Sequence, residues 1–415
     1  MDDTRKTDDL SREVQRNVDR FVLWLEDFGE TSFDHQSYFA GPIGRRAKAL
    51  YYRNRILGLP AVAPMILSEA LLPQARKLFW KKQRFPIADA HYAMGFAWLY
   101  ETTGREEYYR RAAHFLDILV DTRCPDWDNF CWGYPFDWET RGGTVPAGRP
   151  LVTITPYVYE AFAHVHRLDG QGRWLEILRS ISDHMADDFL DIETGPGEAT
   201  CSYSPFDGNG VINASAYRAA LLADASIRFE DDRYWTIGRR NLNFVLANQQ
   251  EDGSWLYAMD SVREFVDHFH TCFVLKALAK IEKLTGDEGC RQAIIRGVDY
   301  YLDRLFDEDG LPKPFSRAPR LTVYRNELYD YAESINLATL LAGRFSRLDE
   351  TLLSILRDVT IRWVKPDGSF RSRRLLFGWD DVPMHRWAQA QMFRSLTYWL
   401  SSRQEEISAD PDPGT

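Results

Sequence analysis

Two kinds of helix alternate along this chain, and that alternation limits the possible folds more than any other feature. The segment Ile87–Thr103 is apolar or small on nearly every side, as in a helix buried all round. The next segment, Arg105–Asp121, carries charge on one face and Ala112, Phe115, Leu116 and Leu119 on the other. That is the pattern of a surface helix with one core stripe. Only Thr102-Thr103-Gly104 separates the two, so they read as an antiparallel hairpin. Buried-type segments start again near Pro156, Gly210, Phe265, Leu328 and His385, and surface-type partners near Arg173, Asp232, Asp287 and Leu348. The short joints are alike: Thr103-Gly104-Arg105, Asp169-Gly170 and Thr285-Gly286-Asp287. So are the long ones, Asp252-Gly253-Ser254-Trp255, Asp309-Gly310-Leu311 and Asp367-Gly368-Ser369-Phe370, with glycines 57 and 58 residues apart. Such pairs read as tight turns or small hairpins. A helix-pair period of about 55 to 65 residues marks a repeat architecture. Buried helices inside and amphipathic ones outside predict a closed, all-α ring of six hairpins over residues 10–402. An open solenoid would leave one side of the inner helices wet. Residues 1–9 read as a polar tail, and 403–415 as a disordered acidic one.

Composition narrows the partners. The 415 residues hold 51 Lys and Arg against 61 Asp and Glu, a net charge of −10. An acidic body argues against nucleic acid or an anionic membrane as the main partner. No apolar run reaches the roughly 18 residues of a membrane span. Met1–Arg16 lacks the apolar core of a signal peptide, which makes the cytoplasm the expected location. Five cysteines at irregular spacing do not make a disulfide framework. Aromatic residues make up 14% of the chain, enough to demand a large core or an aromatic-lined cleft. Neither a GxGxxG nor a GxxxxGK[ST] nucleotide fingerprint occurs, nor a GxSxG elbow, so no cofactor is expected.

The stretch Gln249-Gln250-Glu251-Asp252-Gly253-Ser254-Trp255, set among such helices, resembles the (α/α)6 toroids of the six-hairpin glycosidase-like superfamily. Squalene and prenyl cyclase repeats share that pattern, so it marks architecture better than chemistry. Asn213-Ala214-Ser215, Phe265–Thr271 and Pro383–Gln389 are similar to a toroid family encoded with bacterial polysaccharide biosynthesis proteins. That likeness, from about residue 85 onward, implies a glycan context and polysaccharide-assembly partners. It brings no catalytic residues with it. Glucuronyl 5-epimerases and unsaturated glucuronyl hydrolases are more distant analogies of fold.

In a toroid the long loops gather on the rim where the inner helices begin, and the candidate residues concentrate there. The loop Asp126–Arg149 offers Trp127, Trp132 and Tyr134 for stacking on sugar rings, or as a lid over the barrel mouth. Tyr203 and Asp207 lead to Asn213 at the start of a buried helix, where Asp207 serves equally as an N-cap. Trp255, which closes the first Asp-Gly-Ser turn, is a further substrate-binding candidate. Asp267 and His270 lie three apart, on one helix face, where a carboxylate and an imidazole suit proton transfer. His268 and Cys272 have metal-ligand spacing, with Cys201 as a third ligand, but that pairing is common in core helices and no metal is expected. Tyr329 and Asp330 open another inner helix, so Asp267 and Asp330 form a possible carboxylate pair across the bore. Asp380 precedes His385 and Arg386 on the last inner helix. Arg317, Arg320, Arg371 and Arg373, with Arg325 and Arg374, occupy two rim loops almost free of acid, which points to an anionic ligand.

These features favour a carbohydrate-active enzyme on an acidic, uronate-containing glycan, working by hydrolysis, β-elimination or epimerisation. Hydrolysis would use Asp267 and Asp330. Elimination or epimerisation would use a base among Tyr203, Tyr329, His270 and His385. A non-catalytic glycan-binding scaffold needs the same aromatics without the carboxylates. A terpene or prenyl cyclase needs an Asp-x-Asp-Asp motif that is missing.

Overall fold

The computed structural model describes residues 2–205 and 210–409. Its helices, in chain order, are α1 (Asp2–Phe28), α2 (Ser37–Ala40), α3 (Pro42–Arg53), α4 (Arg55–Leu71), α5 (Pro86–Thr103), α6 (Glu106–Asp121), α7 (Thr155–Asp169), α8 (Gly172–Asp183), α9 (Ile212–Phe229), α10 (Asp232–Ala247), α11 (His268–Thr285), α12 (Glu288–Arg304), α13 (Leu328–Leu340), α14 (Ser346–Asp358) and α15 (Ala390–Ala409). Helices α5, α7, α9, α11, α13 and α15 pack side by side in that order, and α15 returns to α5. They form the inner ring, and the even-numbered helices α6 to α14 lie outside it. The sequence pattern supplies five surface-type partners. The sixth place is taken by α1, which packs on both α15 and α14. The N-terminus therefore closes the ring against the C-terminal hairpin. Helix α1 begins at Asp2 and α15 continues to Ala409, so both run into the segments expected as tails.

The joints behave as their composition requires. Gly104, Gly170 and Gly286 end inner helices in the left-handed region, with φ of 67°, 64° and 71°. That conformation is nearly free for glycine alone. The Asp-Gly-Ser turns are equivalent to one another. In each, the Ser hydroxyl donates to the preceding Asp at 2.7 Å. A Cβ on Gly253 would meet the Arg296 carbonyl on α12 at 2.3 Å, and one on Gly368 would meet the Arg20 carbonyl on α1 at 2.5 Å. Each turn is thus seated on the next outer helix, and α1 receives its turn as α12 does.

A polar layer crosses the bore, with one side chain from each inner helix. Tyr157 and Tyr217 share a 2.5 Å hydroxyl contact, Lys276 pairs with Glu333, and Arg394 donates to His91 at 3.1 Å. The long loops gather at the end of the barrel where the inner helices begin, which is its mouth. Around that mouth lie the expected short strands: β1 (Trp138–Thr140) with β2 (Gly143–Val145), β3 (Asp191–Gly195) with β4 (Glu198–Cys201), and β5 (Val266–Asp267) with β6 (Phe315–Arg317). A three-stranded antiparallel sheet joins β7 (Tyr324–Glu327), β8 (Arg373–Leu375) and β9 (Trp379–Asp380). The α3–α4 hairpin, which has no counterpart in the repeat, stands on this rim.

Candidate functional site

The mouth has two chemically different sides. On the α15 side the buried charges are paired. Arg76 grips Asp380 with two hydrogen bonds, 2.7 and 3.3 Å, and both side chains are fully buried. Arg386 does the same to Asp34 at 2.7 and 3.0 Å. Arg373 spans Glu327 and Glu69. Burial alone would raise the Asp34 carboxyl, but Arg386 and His35 hold it well below the usual carboxylate range. His385 accepts from the Tyr92 hydroxyl at Nδ1, 2.6 Å, and its Nε2 donates to the Gly29 carbonyl at 2.9 Å. Burial lowers its pKa to about 4. Both nitrogens are committed, so His385 holds α1 to the inner ring and has no face for a substrate.

On the α9–α11 side the polar groups are not all committed. Asp267 caps α11: its Oδ1 accepts from the His270 backbone N–H at 3.0 Å, while Oδ2 accepts from the His270 ring Nδ1 at 2.6 Å. This is the paired arrangement that the i, i+3 spacing predicts. It fixes the ring with Nδ1 protonated and leaves Nε2 as the basic nitrogen. The His270 side chain keeps 21% exposure, and Nε2 has no hydrogen-bond partner among the described residues. Tyr257 stands edge-on to it, with ring centroids 4.7 Å apart. Asn213, on the first turn of α9, is buried with neither its amide nitrogen nor its carbonyl oxygen hydrogen-bonded. Buried amides are seldom left so. Asn213, Tyr257, Phe265, Asp267 and His270 line one recess, whose enclosed part has room for about one water molecule.

The other expected residues fall elsewhere. Asp330 is fully buried and both its carboxyl oxygens lack partners. Because α11 and α13 are neighbours, Asp330 sits beside Asp267 and not across the bore, and it does not line the recess. Burial first, then Glu327 and Asp267, push its pKa well above the usual value. Trp132 and Trp255 are core wedges: each indole donates to a helix carbonyl, of Leu119 and Val245, at 2.8 and 2.9 Å. Trp127 lies edge-on to His184 at the end of α8. Tyr134 stacks on Phe136 and under Arg386. Tyr329 stacks on Trp387 at 4.8 Å, and its burial raises the phenol well above 10, which removes it as a base. The Tyr203 hydroxyl contacts Thr153 Oγ1 at 3.1 Å. Asp207 lies outside the described residues.

The basic rim is less bare than its loops suggest. Arg317 pairs with Glu264 from the preceding rim loop, and Arg371 pairs with Asp381 from its own. Arg325 and Arg374 line an open groove that also holds Asp307 and Asp309. Arg320 is exposed. His268 is bound through both nitrogens, to the carbonyls of Leu305 and Lys313 and the hydroxyls of Tyr301 and Ser334, so its spacing from Cys272 is a core feature. Sequence reasoning missed Arg76, Asp34 and Glu69, whose segment lies outside the repeat. It also missed Tyr257, ten residues before Asp267 at the end of β5.

No family model matches the sequence, and no curated protein sequence does. Solved structures do match. An unsaturated glucuronyl hydrolase specific for heparin superposes with a TM-score of 0.63 at 11% identity, covering 97% of this chain and 98% of its own. Cellobiose 2-epimerase from Bacillus thermoamylovorans gives 0.61 at 11%, over 77% and 88%. A D-mannose isomerase gives 0.58 at 13%, over 78% and 88%. At such identities the likeness speaks for the fold. With six inner helices closed by α1, it identifies the fold as an (α/α)6 toroid.

Proposed function

We propose that this chain is a carbohydrate-active enzyme that moves a proton on an acidic, uronate-containing glycan, with His270 as the base. One observation carries the reading: Asn213, buried and unpartnered, shares its recess with a histidine already aligned by a carboxylate. Asp267 stabilises the imidazolium that forms when His270 Nε2 takes a proton. The Asn213 amide is placed to donate to a sugar oxygen as charge builds there. Arg263 lies over the Tyr257 ring and is ion-paired with Asp260, so a uronate carboxylate would share this cation with Asp260. Abstraction of the proton alpha to that carboxylate leads to β-elimination if the glycosidic oxygen leaves. It leads to epimerisation if a proton returns on the other face. Hydrolysis by a carboxylate pair is less well supported, because Asp330 is sealed away from the recess. The fold neighbours include proteins named as an epimerase, an isomerase and a polysaccharide lyase. The motif likeness adds a role in polysaccharide assembly. Five free, buried cysteines suit the reducing cytoplasm, where we place the protein.

The test is incubation with a panel of uronate-containing and neutral polysaccharides in deuterated buffer. Ultraviolet absorbance from an unsaturated product, or deuterium at the carbon alpha to the carboxylate, is expected, and both are lost in His270→Gln. New reducing ends without either signal would overturn His270 as a carbon base.

A further inference from the structure

We propose that the α3–α4 hairpin and the segment after it dock this protein on an anionic lipid bilayer. The segment Gly41–Lys82 contains nine Lys and Arg against one acid, in a chain whose net charge is −10. That acid, Glu69, is bound to Arg373. Among the described residues, 22 large hydrophobic side chains are exposed, and ten of them fall in this tenth of the chain. Ile56 is 85% and Leu78 86% exposed.

Their placement is ordered. On α3, Ile43, Arg46, Leu50 and Arg53 recur at helical spacing on one exposed stripe. On α4, Ile56, Leu67 and Leu71 make a second. The hairpin is held firmly by its inner face. Arg76 meets Asp380, and Arg45 meets Asp137. At Gly58 the two helices approach so closely that a Cβ would lie 2.1 Å from Tyr51 Cα. The outward face is thus a rigid surface left uncovered.

Its chemistry selects the occupant. Arg46, Arg53, Arg55, Lys77 and Lys81 form no ion pair among the described residues. Two of these cations lie inside the apolar stripe itself, between Ile43 and Leu50 and beyond it. A protein interface keeps its charges at the rim, and a second copy would bring the same cations face to face. A bilayer accepts both: apolar side chains enter the headgroup boundary while Arg and Lys reach the phosphates. Among the described residues no helix is long and apolar enough to cross a membrane, so the hairpin lies in the interface. The face continues along the mouth, since Arg320 acts on Lys48 and Tyr52 and the adjoining Leu321 is 98% exposed. The acidic body does not prevent this, because its charge lies elsewhere than on this rim segment. The proposal stands apart from the reaction assigned to His270.

The experiment is co-sedimentation of the full chain with phosphatidylcholine vesicles and with vesicles that also contain phosphatidylglycerol. Binding to the anionic vesicles is expected, weakening as salt rises. Leu67→Glu with Leu71→Glu should lower it about tenfold or more, and reversal of Arg46, Arg53 and Arg55 to Glu about a hundredfold. All these positions are exposed, and circular dichroism would check that the variants fold. No binding to anionic vesicles overturns the proposal, as does binding unchanged in both variants. So does light scattering that shows a dimer broken by Leu67→Glu with Leu71→Glu and no vesicle binding.

Discussion

The α15 and α9–α11 sides of the mouth are built from the same residue types, yet they differ in how completely those residues are satisfied. On the first, Asp380, Asp34 and Arg373 are ion-paired and His385 is bound through both nitrogens, and the one gap among them is the buried Nε of Arg76. On the second, Asn213 has none, and His270 keeps one nitrogen free. Asp330, next to it, is buried with no partner at all. A polar group with every bond made is holding the fold together. One kept waiting in a recess is available to something else. Residue type alone, which is all a sequence offers, does not separate these cases.

The largest effect that tests the contrast is expected at Arg76. Arg76→Ala strands the buried Asp380 carboxylate and should cost about 3–5 kcal/mol in urea unfolding. A cost near zero would show that the α15 side is not the structural one. Asp330 should respond in the opposite direction. Its folded pKa lies above the ordinary 3.8, so the native state holds a proton that the unfolded chain has released. Its contribution to stability therefore falls as pH rises from 3.8 towards the folded value. Asp330→Asn should remove that slope and raise stability at neutral pH, because the neutral amide needs no proton taken up on folding. The His385 slope has the other sign. Its pKa falls from 6.5 to about 4 on folding, so stability is lost as pH drops through that window. His385→Asn should flatten the acid limb in a pH series of unfolding curves. The smallest effect lies at the helix cap. Asp267→Ala should cost about 1 kcal/mol through lost capping, while Asp267→Asn, which keeps a capping oxygen, should cost only a few tenths. Equal losses would mean that the carboxylate charge, and not the cap, is structural.

Much of the fold was legible because a buried helix and a surface helix have different hydrophobic patterns, and the pattern recurs. The six inner helices, the glycine joints and the Asp-Gly-Ser turns could all be read that way. The sixth outer helix could not, because ring closure joins the two ends of the chain. Residues 2–28 look like an ordinary amphipathic helix until Gly368 is seen resting on Arg20. Within the site, Asp267 and His270 were legible because their contact is local, three residues apart on one helix. Asp380 and Arg386 looked equally chemical, since their partners Arg76 and Asp34 lie more than 300 residues away in sequence. Trp132 and Trp255 looked like sugar platforms because an indole that wedges two helices and one that faces solvent are the same letter.

The measurement that bears most directly on this account is turnover and urea stability of His270→Gln together, on whichever uronate glycan is first found to react. Loss of a positioned base should lower kcat by about 10²–10⁴-fold. Stability should stay within about 0.5 kcal/mol of the parent, as for a group not tied into the core. Turnover that survives, or a stability loss as large as that of Arg76→Ala, would place His270 with the structural residues and contradict the division of the mouth into two sides.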